Sequence, residues 1–397
     1  DDLDIATWDS YPLGALEEQW YEPEIKARYL RTGHPDFASF NHDVYRGMSK
    51  QPFWVMEQQP GPVNWAQWNP APLPGMVRLW SWEAFAHGAG CVSYFRWRQA
   101  PFAQEQMHAG LNTPDNRLDL GGEEAARVAE EIRAVVSADG EPKVRAKVAL
   151  VYDYEAKWLF EIHPQAADFH YPRFAFEYYS ALRSLGLDVD VLPADASFDG
   201  YSMIVVPPLP VVPDDFGARL AASGAQVVLG PRTGSKTRDL RIPANLPPGA
   251  LADVLPLRVW RVDSMRPNVT VPVTSDNSAL KGESRHWRDL LEVLEDRDVL
   301  ARFDDGHPAF VRHGALHYCA SLFDDALTQH IFAQVAAAAQ LDAVPLADTI
   351  RVSQRGALKY VFNYGDTAYT IDDVRADAFV IGSSSVEPQG VAAYRAA

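Results

Sequence analysis

Three short apolar runs in the first 143 residues, each followed by a stretch of helical periodicity, constrain this chain more than any other feature. "LDIATWDSYP" reads as a short buried strand ending at Asp9, "FWVME" as a second and "CVSYFRW" as a third. Behind a Pro-Asp start, "HPDFASFNHDVYRGM" repeats Phe37, Phe40, Val44 and Met48 at helical spacing, and "RLWSWEAFAHGA" is also helical. "GGEEAARVAEEIRAVV" sets Val128, Ile132, Val135 and Val136 on one face, with Glu123 and Arg127 spaced to pair across one turn. This alternation is the rhythm of a parallel sheet, and each strand ends in polar or aromatic residues suited to chemistry. In a (β/α)8 barrel the active site lies at those strand ends. A closed barrel takes eight strands and about 250 residues, so three strands make only part of one. With two open edges and uncovered apolar faces, they are not expected to be stable alone.

The texture changes near residue 143. "VRAKVALVYD", "DVDVLP", "YSMIVVPPLP" and "AQVVLGP" read as strands alternating with the helices "YPRFAFEYYSALRSLGL" and "DDFGARLAASG", which predicts a doubly wound α/β domain over 144–345. After "DDALTQHIFAQVAAAAQL", the alternating pattern and Gly-Asp turn of "IRVSQRGALKYVFNYGDTAYTI" predict a small antiparallel β domain over 346–397. No internal repeat or low-complexity linker interrupts this order.

Composition removes several function classes. The formal charge of −17 repels a phosphate backbone and no Lys/Arg run offsets it, so nucleic acid is not expected as a partner. No segment reaches the ~18 consecutive apolar residues of a membrane span, and "DDLDIATWDS" has neither a basic nor an apolar leader region. Neither a membrane nor an export signal is expected. Two cysteines, Cys91 and Cys319, are too few for a disulfide framework or a Cys-rich zinc site, which fits the cytoplasm. The chain opens on Asp rather than Met, so residues ahead of Asp1 are expected to have been lost.

Eight of the eleven tryptophans precede residue 100. Trp8, Trp54 and Trp80 fall within regular elements and are expected in the core. Trp65 and Trp68 sit in the Pro-, Gly- and Asn-rich loop 58–75, where the surface is the expected place. Exposed indoles beside a carboxylate suit sugars, whose C–H faces stack on rings while their hydroxyls take hydrogen bonds. Glu57, the lone acid closing "FWVME", has two readings: a structural carboxylate paired with Arg96 or Arg98, or a catalytic one. Burial demands a partner in either case, and glycoside cleavage needs such an ionised group at a carbon developing positive charge. His87 and His108 lack a second ligand at zincin spacing. Glu105 and His108, three apart in "AQEQMHAG", match a di-iron motif only without its duplicate, and hydrogen-bonding to a substrate hydroxyl competes with a solvated loop. "VVLGPRTG" is neither a dinucleotide fingerprint nor a phosphate loop, so the α/β domain reads as non-catalytic.

The segment "FWVMEQQPGPVNWAQWNPAPLPGMVRLWSWEAFAHGAGCVSYFRWRQAPFAQEQMHAG" closely resembles the nucleophile region of glycoside hydrolase family 42, the bacterial β-galactosidases. By order and pattern the resemblance extends through a trimerisation domain to the C-terminal β domain. It implies a chain starting within the catalytic barrel, at its sixth strand. Glu57 would then be the nucleophile at the end of the seventh strand and Trp65 the aromatic platform. Glu105 and His108 would hold galactose hydroxyls, Phe95 would line the pocket, and Tyr11 would approach from the sixth strand. The resemblance further implies a galactoside substrate, a homotrimer and no cofactor. The family's acid/base is the Glu of an Asn-Glu pair, which this sequence lacks. That residue would come from a missing N-terminal barrel segment or a partner chain, as would the cysteine cluster that binds zinc in many members. An α-L-arabinopyranosidase, a non-catalytic carbohydrate-binding or assembly subunit, and a ligand-sensing α/β protein remain alternatives.

Overall fold

Short apolar runs become three parallel strands, β1 (Thr7–Ser10), β2 (Trp54–Gln58) and β3 (Cys91–Tyr94), lying in that spatial order. The computed structural model describes residues 4–49, 52–139, 146–164, 166–276, 280–293 and 298–396, and the side chains of 134 and 136–139 fall outside that description. The expected strand residue Leu3, the Val136 side chain and the change of texture at 143 therefore lie outside the described residues. Between β1 and β2 run α1 (Pro12–Glu18), α2 (Pro23–Arg28) and α3 (Phe37–Met48); α4 (Met76–Ala86) joins β2 to β3, and α5 (Leu120–Asp139) follows β3. α1 and α2 are absent from the sequence reading, because each is barely two turns long and opens on a proline at its first position.

Among the three barrel strands, alternation is broken at one place, around Met56 and Glu57. In the β1–β2 register Trp8 faces Val55, but the next pair is Asp9 with Glu57, so Met56 is an inserted residue. The β2–β3 register shifts between the same residues, Val55 and Gln58. A bulge of this kind re-aims the following side chain. Val55 and Gln58 are buried while Trp54 and Met56 are exposed, and Glu57 is half-buried between them. Trp8 and Trp80 fill cores as expected. Trp54 does not: with Met56 it lies on the exposed side of β2, and it is 37% exposed.

Helix α4 is buried on nearly every side, its Arg78 and Glu83 included, and Trp80 and Trp82 are each 1% exposed. Such a helix must be covered on every side. Part of that cover comes from the C-terminal sheet. In α5 the expected Glu123–Arg127 pair is replaced: Arg127 reaches forward to Glu131 at 2.9 Å, and Glu131 also takes Arg78 at 2.9 Å. Glu131 wins because it draws two arginines and the Trp82 indole N–H (2.8 Å).

The described chain separates into two compact units, residues 1–145 with 346–397, and residues 146–345. In the second, β4 (Val148–Val151), α6 (Tyr154–Ile162), α7 (Tyr171–Arg183), β5 (Val189–Leu192), β6 (Met203–Val206), α8 (Phe216–Ala222) and β7 (Gln226–Leu229) follow the doubly wound pattern. β4 and β6 are buried at every position, as strands covered on both faces are, and edge strand β5 alternates. Beyond the expected pattern, the sheet continues through β8 (Leu257–Ser264), β9 (Val271–Thr274), β10 (Lys281–Val293), β11 (Val299–Phe303), β12 (Pro308–His313), β13 (Leu316–Cys319) and β14 (Ser321–Phe323), before α9 (Asp325–Ala338). The strand order is β14-β10-β9-β11-β12-β13-β7-β6-β4-β5, with β8 on β10; β13 is parallel to β7 and the rest of the extension is antiparallel.

The C-terminal strands are β15 (Ile350–Arg355), β16 (Leu358–Asn363), β17 (Tyr369–Thr370), β18 (Phe379–Ile381), β19 (Ser385–Val386) and β20 (Gly390–Arg395). The main sheet runs β15-β16-β20-β18 and is antiparallel, as expected. Its tight hairpin turns at Gly356–Ala357 rather than at Gly365–Asp366, since Arg355 pairs with Leu358 and Gly356 supplies φ +59°. Tyr360, Phe362, Val391 and Ala393 of this sheet form one core with Trp80 and Trp82 of α4. A bidentate pair, Arg351 to Asp36 (2.6 and 2.7 Å), and the bond from the Tyr364 hydroxyl to Glu83 (3.0 Å) bind sheet to helices.

Candidate active site

At the carboxyl ends of β1 to β3 the polar side chains converge. The Tyr11 hydroxyl, one residue past β1, donates to Glu57 Oε2 at 2.5 Å. Burial pushes the Tyr11 phenol well above its ordinary pKa and the bond to the Glu57 carboxylate adds to this, so the tyrosine remains a donor at any working pH. Neither Arg96 nor Arg98 pairs with Glu57. Arg96 pairs with Glu105 and lies over the Phe95 ring at 4.4 Å, while Arg98 donates to Asn116 at 2.9 Å. Among the described residues Glu57 is in no ion pair, and one of its carboxylate oxygens is without a hydrogen-bond partner.

Gln59, fully buried, anchors the loop that follows: its Oε1 accepts from Leu13 N (3.1 Å) and its Nε2 donates to Gly61 O (2.8 Å). Trp65, in that loop, is 48% exposed and meets the Tyr11 ring edge-on at 5.7 Å. It can do so because residue 14 is glycine. A Cβ there would lie 2.7 Å from Trp65 Cζ2 and closer still to Cη2. Trp68 is 64% exposed, as a surface loop predicts.

His108 is buried between two rings, Tyr11 at 5.7 Å and Phe95 at 5.1 Å, both edge-on. Its segment runs close along the backbone of 96–99, where a Cβ at Gly110 would lie 2.6 Å from Gln99 N, and is tied there by the bond from Leu111 N to Arg96 O (2.7 Å). Burial lowers the imidazole pKa, the Arg96 cation lowers it further, and the ring is therefore neutral near pH 7. Nδ1 lies 3.2 Å from Ala109 O, which can only accept, so Nδ1 carries the proton and Nε2 is left as an acceptor. His108 is not the solvated loop residue of the alternative reading. Glu105, in a 3-10 turn over Gln104–Met107, keeps a half-exposed carboxylate on Arg96.

The structure thus gathers Glu57, Tyr11, Trp65, Phe95 and His108 in one place and ties Glu105 to the same cluster through Arg96. Sequence reasoning missed Asp9 as a site group. It pairs in register with Glu57, and burial and then the Glu57 charge raise its pKa. Its place two residues before Tyr11, on a period-two strand, was the available signal. Among the described residues no group of three or more His, Cys, Asp or Glu could hold a metal ion.

Parallel strands backed by helices, with acid, phenol, imidazole and indole at their carboxyl ends, define part of a (β/α)8 barrel that carries its functional face. Two family profiles match the chain: "Beta-galactosidase" over residues 1–135 and "Beta-galactosidase trimerisation domain" over 146–342. A β-galactosidase of Thermus thermophilus is 47% identical over 396 residues, covering 100% of this chain and 60% of the relative. One of Haloferax lucentense is 35% identical, with coverage of 97% and 58%. The structure of β-galactosidase from the psychrophilic Marinomonas ef1 superposes with a TM-score of 0.94 at 40% identity, covering 100% of this chain and 61% of that one. That of the Halorubrum lacusprofundi enzyme gives 0.93 at 34% identity, with coverage of 100% and 60%. The chain belongs to glycoside hydrolase family 42, and it comprises a barrel part, a trimerisation domain and a small antiparallel β domain. It spans about 60% of the length of these relatives.

Proposed function

We propose that this chain carries the nucleophile half of a retaining β-galactosidase active site, with Glu57 attacking the anomeric carbon of a terminal β-D-galactosyl residue. The observation that carries the reading is the state of Glu57: an acid at a strand end, anchored through one oxygen by Tyr11 and claimed by no described cation. The relatives are β-galactosidases, which supports the substrate class. Trp65 would lie under the galactosyl ring, Phe95 would line the pocket, and His108 Nε2 and Glu105 would hold hydroxyls. The acid/base glutamate, which protonates the leaving oxygen and then activates water, would stand about 5 to 5.5 Å from Glu57. It would come from barrel strands outside these 397 residues, on a preceding segment or a partner chain. Those strands would also cover Trp54 and Met56. The trimerisation profile supports a homotrimer, and the cysteine-poor composition supports the cytoplasm.

In the enzyme with its barrel complete, Glu57→Gly should lower kcat by several orders of magnitude, and azide should restore turnover with an α-galactosyl azide product. Undiminished turnover in the variant would refute the assignment. The 397-residue chain by itself should hydrolyse galactosides negligibly.

A further inference from the structure

Within residues 146–345 a cavity of ≈ 950 Å³ opens at the carboxyl ends of the parallel strands. From β4 the chain goes to one side for β5 and then crosses to the other side for β6. Loops leaving β4 and β6 therefore diverge, and open α/β sheets receive ligands in the crevice made by that divergence. The cavity draws its walls from all four strand ends: Tyr154 and Trp158 after β4, Asp195 after β5, Asp214 after β6, and Lys236 and Arg238 after β7. Its size is that of small-molecule sites.

The chemistry of the walls narrows the ligand. The usual occupant of such a crevice is a phosphate on a helix N-terminus. Here that position on α6 is taken by the Asp153 carboxylate, which accepts from Ala156 N at 2.9 Å, with Glu155 beside it. Asp153, Glu155, Asp195 and Asp214 outnumber Lys236 and Arg238, so anions are disfavoured. Among the described residues no metal-binding group of acids and histidines occurs. What remains is a half-exposed indole, Trp158, set beside the Tyr154 ring at 6.4 Å. Around it Glu155, Asp195, Asp214, Lys236 and Arg238 keep side-chain hydrogen-bonding capacity that no described residue uses. Between the lining residues Gly234 and Lys236, the buried Ser235 hydroxyl also lacks a hydrogen-bond partner. A flat apolar face with a rim of unused donors and acceptors matches a neutral sugar ring.

We propose that this crevice binds a neutral mono- or disaccharide, stacked on Trp158 and hydrogen-bonded by Asp195, Asp214 and Lys236. The site is separate from the one around Glu57 and does not rest on the catalytic role of Glu57.

The test is ligand-observed saturation-transfer NMR on the full chain with D-galactose, D-glucose and lactose as probes, in four proteins: unsubstituted, Trp65→Ala, Trp158→Ala and Asp195→Asn. Half-exposed Trp158 is replaceable without unfolding, and Asp195→Asn keeps shape while removing charge. Binding of at least one sugar should persist in Trp65→Ala and weaken about tenfold or more in Trp158→Ala and Asp195→Asn. Equal binding in all four proteins, loss of all binding in Trp65→Ala, no binding of any probe, or displacement of the sugar by inorganic phosphate would each overturn the proposal.

Discussion

Removing one oxygen from the cluster tests how Glu57 is held. Tyr11→Phe keeps the ring, and with it the edge contacts to Trp65 and His108 at 5.7 Å, but deletes the donor 2.5 Å from Glu57 Oε2. A hydrogen bond to a charged acceptor contributes about 1.5–3 kcal/mol, which corresponds to roughly 10- to 150-fold in rate. The two chemical steps feel the loss differently. When Glu57 attacks, its charge is consumed, and a bond that stabilises the charge holds the reactant back. When water releases the sugar, Glu57 recovers its charge and the same bond lowers the barrier. Tyr11→Phe should therefore slow deglycosylation most. In pre-steady-state assays of the barrel-complete enzyme with a nitrophenyl galactoside, a burst should appear, with kcat and KM falling together by about tenfold or more. A kcat within about twofold of the parent, with no accumulated intermediate, would refute the reasoning.

Gly14→Ala should displace the Trp65 indole while favouring helix α1 by up to about 1 kcal/mol, so KM should rise several-fold with Tm unchanged or higher; an unchanged KM would show that the indole takes no part in binding. Arg351→Met leaves Asp36 buried without its bidentate partner and should cost about 3–5 kcal/mol by denaturant unfolding; a loss below about 1 kcal/mol would contradict the account of how the C-terminal sheet is held. His34 accepts from Asp36 N (3.1 Å), and burial lowers its pKa to about 4. The unfolded chain, titrating near 6.5, then binds more protons than the native state, so stability is complete above about 6.5 and declines as pH falls towards 4, by at most about 3 kcal/mol. His34→Gln should flatten that decline in melts across this range, and an equal slope in the variant would remove His34 as its cause.

The doubly wound core was legible because strands buried on both faces are written as unbroken apolar runs, as in "VALV" and "MIVV", and the barrel strands were legible as the apolar runs "FWVM" and "CVSY" although one face of β2 is exposed. The antiparallel extension was not. Its longer strands, β8 with burial at only two of eight positions and β10 with charged residues throughout its first half, resemble loop sequence, and several of the others are only three or four residues long. At the site, Glu57 stood out as the acid ending a strand, but the Met56 bulge that aims it has no sequence signature in an all-apolar run. The arginine pairing proposed as its structural alternative failed for a local reason. Arg96 is turned towards Phe95 and Glu105, a choice made by the loop after β3 and not by spacing along the chain.

Covalent trapping speaks most directly to the central claim. The barrel-complete enzyme, inactivated with a 2-deoxy-2-fluoro-galactoside bearing an activated leaving group, should yield on digestion and tandem mass spectrometry a single modified peptide with the sugar esterified to Glu57. Inactivation that places the sugar on another residue, or no inactivation of a hydrolytically active preparation, would contradict it.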